Sequence, residues 1–101
     1  MTPILERSAA ALVEATPEWW TDATMRVEVS QHPGGVTGMP HTITSSRHPR
    51  DIVVATEDIQ DGTYSLQQLC AEAGQPWSAL VFRIEQIDGA WRFSTDFEYP
   101  A

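Results

Sequence analysis

The sequence predicts an α+β fold: an antiparallel sheet of four to five strands with two helices packed on one face, in the order α-β-β-β-α-β-β. Two stretches have apolar residues at helical spacing, and two others alternate apolar and polar residues as half-buried strands do. Asp88-Gly89 joins the last two strand segments, and this dipeptide is typical of a tight hairpin. With 101 residues, the chain is long enough for one domain, residues 1–101, and too short for two.

The first helix is predicted over residues 3–15. Pro3 is suited to a first helical position because its ring fixes φ. Proline has no N–H, and the N–H of a first helical residue makes no hydrogen bond within the helix. The helix ends before Thr16-Pro17, since the residue preceding a proline avoids the α region. Its apolar stripe consists of Leu5, Ala9 and Leu12.

The middle of the chain is predicted to be short strands separated by loops. The first strand covers residues 23–29, which alternate strictly between apolar and polar side chains. A long irregular connection rich in glycine and proline then covers residues 32–40. Further strands are predicted over residues 42–45 and 51–56, and the acidic stretch 57–62 is predicted to be a loop.

The second helix is predicted over residues 65–73. Ser65 and Gln68 fit a capping box at its start, and Gly74 fits the position just after its end. Residues 77–87 and 91–99 then form the final hairpin.

The alternation in the last strand predicts two unlike faces. One face carries Trp91, Phe93, Thr95, Phe97 and Tyr99, and the other carries Arg92, Ser94, Asp96 and Glu98. We expect the aromatic face to be buried beneath the helices. Replacing Phe93 with alanine is therefore expected to destabilise the protein by about 3–5 kcal/mol.

Composition excludes several classes of protein. The chain has no apolar run approaching the ~18 residues of a membrane span and no signal-peptide pattern at its start, so a cytoplasmic location without membrane association is expected. Its single cysteine, Cys70, rules out disulfide frameworks and multi-cysteine metal sites. Cys70 lies between apolar positions of the second helix, where it is expected to act as a small hydrophobe.

The charge is strongly acidic, with 14 acids against six arginines and no lysine, a net charge of −8. Such a domain repels the phosphate backbone, so nucleic acid is not an expected partner. The same charge attracts basic proteins, although it could also serve only to keep the protein in solution.

No residue pattern indicates catalysis, a cofactor or a metal. The three histidines, His32, His41 and His48, lie in or beside loops, and none follows another at helical spacing. No serine lies in a Gly-x-Ser-x-Gly turn, and the glycines near Gly35 lack a nucleotide-binding pattern. The sequence therefore predicts no catalytic, cofactor-binding or metal-binding residues.

Aromatic and acidic residues are the candidates for binding a partner. Trp19 and Trp20 are adjacent, so one of them is expected at the surface, where tryptophan is a favoured interface anchor. Acidic residues could provide a rim for a basic partner. They are Asp96 and Glu98 on the last strand and Glu57, Asp58 and Asp61 in the predicted loop.

Both ends of the chain resemble the YezG-like immunity proteins. The first helix ends in Thr16-Pro17-Glu18-Trp19-Trp20, similar to the helix, proline and tryptophan at the start of that family. The final hairpin, led by Trp77 and ending in Asp96-Phe97-Glu98-Tyr99, resembles the family's terminal hairpin. The short helix over residues 65–73 is similar in place and length. The resemblance covers about two thirds of the chain.

The resemblance implies an antitoxin that binds the toxic domain of a bacterial polymorphic toxin, often a nuclease, and is not an enzyme. An acidic inhibitor suits a basic nuclease because carboxylates can occupy positions otherwise taken by phosphates. Replacing Asp96 and Glu98 with lysine is then expected to weaken binding at least tenfold, or about 1.4 kcal/mol. The same change at Glu57 and Asp58 is the second choice.

Two other functions fit the same sequence. An acidic chaperone or adaptor for a secreted effector would share the fold and charge. A small-ligand-binding or enzymatic α+β domain would need polar side chains facing the core, for which Thr95 and Arg83 are the candidates. The oligomeric state and the identity of the toxin do not follow from the sequence.

Overall fold

The computed structural model describes residues 2–32 and 35–99. Within these ranges the chain forms two helices and six strands. These are α1 (Thr2–Ala15), β1 (Asp22–Glu28), β2 (Ser30–His32), β3 (Gly35–Gly38), β4 (His41–Thr44), α2 (Glu57–Glu72), β5 (Ala79–Ile87) and β6 (Ala90–Glu98). The predicted α+β class, with two helices and a four-stranded antiparallel sheet, is confirmed. Neither helix has the length and apolar character that a membrane crossing requires.

The main sheet has the strand order β4-β1-β5-β6, and β2 pairs with β3 as a separate hairpin. Inward-facing residues are in register across the sheet: Met25 lies opposite Ile43 on one side and Phe82 on the other. All three are buried, and the next buried pair along the strands is Val27 with Leu80. Burial of this apolar row is the main source of the stability of the sheet.

The helices cover this inward face. α1 contributes Leu12 to the core, and α2 contributes Ile59, Leu66 and Cys70. The two helices pack closely where Gly62 faces Ser8, since a Cβ atom on Gly62 would lie 2.6 Å from the Ser8 Oγ. A side chain at position 62 would therefore require the Ser8 hydroxyl to move.

α2 begins at Glu57 rather than Ser65, so the predicted acidic loop is helical and the predicted capping box is wrong. The N-cap is Thr56, whose hydroxyl accepts a hydrogen bond from the Ile59 N–H at 3.3 Å. Ile59 and Thr63 are buried one turn apart. Their burial against the core stabilises the hydrophilic first half of the helix. The apolar pattern of the sequence alone did not indicate that this half is helical.

Two other expectations for the middle of the chain are wrong. The strand predicted over residues 51–56 forms only one bridge to the sheet, between Val53 and Ile43. The connection predicted to be irregular contains the β2–β3 hairpin, in which Gln31 pairs with Val36. Part of that predicted connection, residues 33–34, lies outside the described residues.

The final hairpin is confirmed, and Asp88 and Gly89 both have positive φ, 51° and 81°, as a type I′ turn requires. The aromatic residues of β6 do lie on the inward face, but the prediction that they are deeply buried is wrong. Phe93 is 40% exposed, and Trp91 and Phe97 are only partly buried. The reason is that β6 is an edge strand with a neighbour on one side only.

Phe82 and Phe93 form a matched pair for measuring this difference in burial. Their rings stack at a centroid distance of 5.6 Å, but Phe82 is fully buried. We expect Phe82→Ala to lower the free energy of unfolding by about 3–5 kcal/mol and Phe93→Ala by only about 1–2 kcal/mol. Urea unfolding of both variants measures this, and equal losses would contradict the edge position of Phe93.

Candidate functional site

Trp19 and Trp20 lie in the turn between α1 and β1, and their exposures differ sharply. The Trp20 N–H donates to the Pro17 carbonyl at 3.0 Å, which closes the turn after the helix. Trp20 is 1% exposed and belongs to the core, whereas Trp19 is 64% exposed. The expectation that one of the two faces solvent is confirmed.

Asp51 fixes both indole rings. The Nε1–H groups of Trp19 and Trp20 donate to the same Asp51 oxygen, Oδ2, at 2.9 and 2.8 Å. The Trp20 ring also stacks on His48, with a centroid distance of 6.4 Å and nearly parallel planes. An exposed tryptophan held in one orientation loses little conformational entropy when a partner binds it.

The two indole donors, Trp20 first and then Trp19, hold the pKa of Asp51 below its ordinary value of 3.8. Because the folded-state pKa is lowered, the carboxylate stabilises the fold at pH values above 3.8. That contribution is lost as the pH falls through the lowered pKa. The orientation of Trp19 is therefore maintained at neutral pH.

The extended segment after Asp51 exposes two β-branched apolar side chains. Val53 turns toward the core, where its backbone bridges to Ile43, so its neighbours Ile52 and Val54 face outward. Ile52 is 88% exposed and Val54 is 77% exposed. Trp19 is connected to the start of this segment through its hydrogen bond to Asp51, the residue before Ile52. We call Trp19, Ile52 and Val54 the Trp19 patch.

Three of the predicted acidic residues follow this patch directly. Glu57 and Asp58 occupy the first turn of α2, Asp61 lies one turn further on, and all three are exposed. Carboxylates at a helix N-terminus are stabilised by the helix dipole, so they also favour the start of α2. Their position places negative charge beside the exposed apolar side chains.

Asp96 and Glu98 face the open side of the sheet, as the alternation of β6 predicts, but both have arginine partners. Arg83 Nη1 lies 2.6 Å from Asp96, and Arg26 Nη1 lies 2.7 Å from Glu98. Glu98, followed by Glu28, raises the pKa of the Arg26 guanidinium. These cations cancel part of the negative charge of this face.

The two acidic groups do not form a single rim. α2 packs on the inward face of the sheet, whereas Asp96 and Glu98 project from the opposite face. The group on α2 follows the exposed Ile52 and Val54 in the chain, and among the described residues none of its carboxylates has an arginine partner. The Trp19 patch with Glu57, Asp58 and Asp61 is therefore the better candidate for a binding surface.

The histidines have separate local roles. His41 Nδ1 donates to the Met39 carbonyl at 2.6 Å, and Nε2 lies 2.9 Å from the Thr63 hydroxyl. His48 stacks on Trp20, and the side chain of His32 lies outside the described part of the chain. Among the described residues, no group of three or more His, Cys, Asp or Glu is placed to hold a metal ion. Cys70 is buried in the core, as expected.

Burial lowers the pKa of His41 below 6.5, although its hydrogen bond to Met39 acts in the opposite direction. The unfolded chain therefore takes up a proton at His41 more readily than the folded chain. We expect the free energy of unfolding to fall as the pH is lowered from about 7.5 to about 5.5. Urea unfolding across this range measures the change.

Two variants separate His41 from the other groups that titrate. His41→Gln should flatten the pH dependence, whereas Thr63→Val, which keeps the imidazole, should retain it. The same pH dependence in His41→Gln as in the parent would contradict the assignment to His41.

No family model and no curated protein sequence matches the chain. Its function therefore has to be argued from its own residues and from the resemblance at its two ends.

Sequence reasoning missed Asp51, Ile52 and Val54. The run Ile52-Val53-Val54 predicted a strand, and nothing in this uniformly apolar run indicates which of its side chains face solvent. The contact between Asp51 and the two indoles joins residues 31 and 32 positions apart, and nothing in the local pattern indicates it.

Proposed function

We propose that this protein is an immunity protein, an antitoxin that binds the toxic domain of a cognate polymorphic toxin and blocks it without catalysis. The observation that carries the proposal is the exposed Trp19, fixed by Asp51 and followed by the exposed Ile52 and Val54. Rigid aromatic anchors beside apolar residues are typical of the centres of protein interfaces. The resemblance of both chain ends to the YezG-like family supports the same function.

The charge supports a basic partner. The net charge of −8 favours rapid association with a positively charged protein through long-range attraction. Glu57, Asp58 and Asp61 place part of this charge beside the Trp19 patch, where it can contact lysine and arginine around a nuclease active site. Such a toxin carries a basic surface because it binds phosphates, and an inhibitor covering that surface prevents substrate binding. The antitoxin acts in the cytoplasm of the cell that makes the toxin.

The direct test uses the toxin domain encoded next to this gene. Cells producing that domain should stop growing, and production of this protein should restore growth. The purified proteins should form a complex on gel filtration, and the complex should lack the activity of the toxin. Growth arrest that persists despite this protein, with no complex formed, would refute the proposal. A neighbouring effector that is harmless but requires this protein for secretion would instead establish the chaperone function.

A further inference from the structure

β6 has a long free edge. It spans nine residues, and within the described part of the chain its only neighbour in the sheet is β5. Its register with β5 runs without a shift from the turn to Glu98, so no bulge bends the edge away. The strand contains no proline, and its inward positions Trp91, Phe93, Thr95 and Phe97 carry no charge. A bulge, a proline or an inward-pointing charge often protects a free edge, since such an edge is a template for pairing with another strand.

The turn geometry identifies the backbone groups that are free. In a two-residue hairpin the flanking residues, here Ile87 and Ala90, exchange both hydrogen bonds. Hydrogen-bonded and non-hydrogen-bonded pairs then alternate along the two strands. The backbone N–H and C=O groups of the even-numbered residues of β6 therefore bond to β5. The Gln86 N–H, which donates to the Thr21 carbonyl at 2.8 Å on the other side of β5, agrees with this alternation. The N–H and C=O groups of the odd-numbered residues of β6 consequently point outward.

The side chains beside this edge are incompletely covered. Phe93 is 40% exposed and Tyr99 is 55% exposed, although both belong to the inward aromatic row. Phe97 packs between Trp77 and Tyr99, with centroid distances of 6.2 and 6.5 Å. A strand added at this edge would cover the exposed rings and satisfy the free backbone groups together.

We propose that the strand added is β6 of a second copy, paired antiparallel about a two-fold axis at Thr95. Thr95 then faces Thr95 of the other copy in a hydrogen-bonded pair, as the free N–H and C=O of an odd-numbered residue require. Phe93 faces Phe97 and Trp91 faces Tyr99 across the axis. On the outer face Arg92 lies opposite Glu98. Aromatic, threonine and opposite-charge pairs each stabilise an antiparallel sheet.

The self-complementary order of these residues favours a second copy over an unrelated strand. A symmetric dimer requires one segment to complement itself when reversed, and residues 91–99 do so about their centre. The neighbouring register, centred on Ser94, pairs Trp91 with Phe97 and Arg92 with Asp96, but it leaves Phe93 opposite Thr95 and Glu98 opposite Ala90, whereas the register centred on Thr95 pairs every aromatic residue of the row with another. The register centred on Thr95 is therefore the better one.

The dimer has an eight-stranded sheet continuous across the axis. Ile52 and Val54 of the Trp19 patch lie at the other edge of each sheet, beyond β4, because Val53 adjoins Ile43 there. In the dimer both copies of this segment stay accessible. The dimer is thus independent of the proposed function, and either can fail without the other.

Site-specific cross-linking tests the axis. In a Cys70→Ala background, Thr95→Cys should form a disulfide-linked dimer, since the two Cα atoms of a hydrogen-bonded pair lie about 5.5 Å apart. Ser94→Cys is the matched control, because its Cα atoms would be about 8 Å apart in this register. Cross-linking at Ser94 and not at Thr95 would overturn the proposed axis.

Sedimentation equilibrium tests the dimer itself. The parent should dimerise with rising concentration, and Arg92→Glu should raise the dissociation constant about tenfold by placing like charges opposite each other. Arg92→Glu combined with Glu98→Arg should recover the association. Arg50→Glu, which makes the same change of charge in the turn before α2, should have little effect. A parent that stays monomeric at all concentrations would refute the proposal.

Discussion

Trp20→Ala is expected to cost about 3–5 kcal/mol of the free energy of unfolding, as for other buried aromatic residues replaced by alanine. A domain of this size has a net stability of about 5–10 kcal/mol, so the variant should be close to unfolding at room temperature. The loss has three sources: the buried indole, its stacking on His48 and its hydrogen bond to Asp51. Urea unfolding followed by circular dichroism measures it.

Trp19→Ala is the matched control, because it removes the same kind of side chain from the adjacent position. That side chain also donates to the same acceptor, Asp51 Oδ2. Its effect should stay within about 1 kcal/mol, since Trp19 is 64% exposed. The fluorescence of the two variants gives a second measurement, with the solvent-exposed emission lost in Trp19→Ala. Comparable destabilisation by both substitutions would contradict the exposures of the two rings.

Trp19→Ala is expected to weaken binding of the toxin domain by about 2–4 kcal/mol, or about 30-fold to 1000-fold, while the protein stays folded. Ile52→Asp should weaken it as well, because the substitution places a charge in the middle of the Trp19 patch. The physical reason is that a fixed exposed indole contributes apolar area without the entropy cost of ordering it. Isothermal titration calorimetry and rescue of toxin-producing cells measure the two effects.

Charge variants distinguish contact from general attraction. Glu57→Lys with Asp58→Lys should weaken binding about tenfold and reduce its dependence on salt. Asp96→Lys with Glu98→Lys changes the net charge equally but lies on the open face, where arginines already partner both carboxylates. We expect the second variant to have the smaller effect. Equal losses would show that only net charge matters, and a larger loss from the second variant would move the interface to the open face.

Local patterns in the sequence were sufficient for the framework of the fold. The ends of α1 follow from Pro3 and Pro17, and the final hairpin follows from the dipeptide Asp88-Gly89. In these elements the determining interactions join residues close in the chain, so periodicity and turn chemistry report them directly. The outward direction of Asp96 and Glu98 follows in the same way from the two-residue period of a strand.

Long-range contacts decided the remaining features. The first half of α2 has few apolar residues, and it is helical because Ile59 and Thr63 are buried against the core. Val53 makes one bridge to the sheet, which leaves Ile52 exposed although the sequence resembles a buried strand. The intrinsic helix or strand propensity of such segments is weak, so packing against the rest of the protein determines their conformation.

The sequence by itself determined the α+β class, the acidic charge and the pairing of aromatic with acidic residues on alternate sides of the last strand. Only the tertiary structure decided which tryptophan is buried, that Asp51 fixes both, and that β6 is an edge. The physical reason is that exposure depends on what the rest of the chain packs against a residue. Trp19 and Trp20 are residues of the same type at adjacent positions, so the local sequence pattern does not distinguish them. Their environments differ only after distant residues, such as His48 against Trp20, have folded against them.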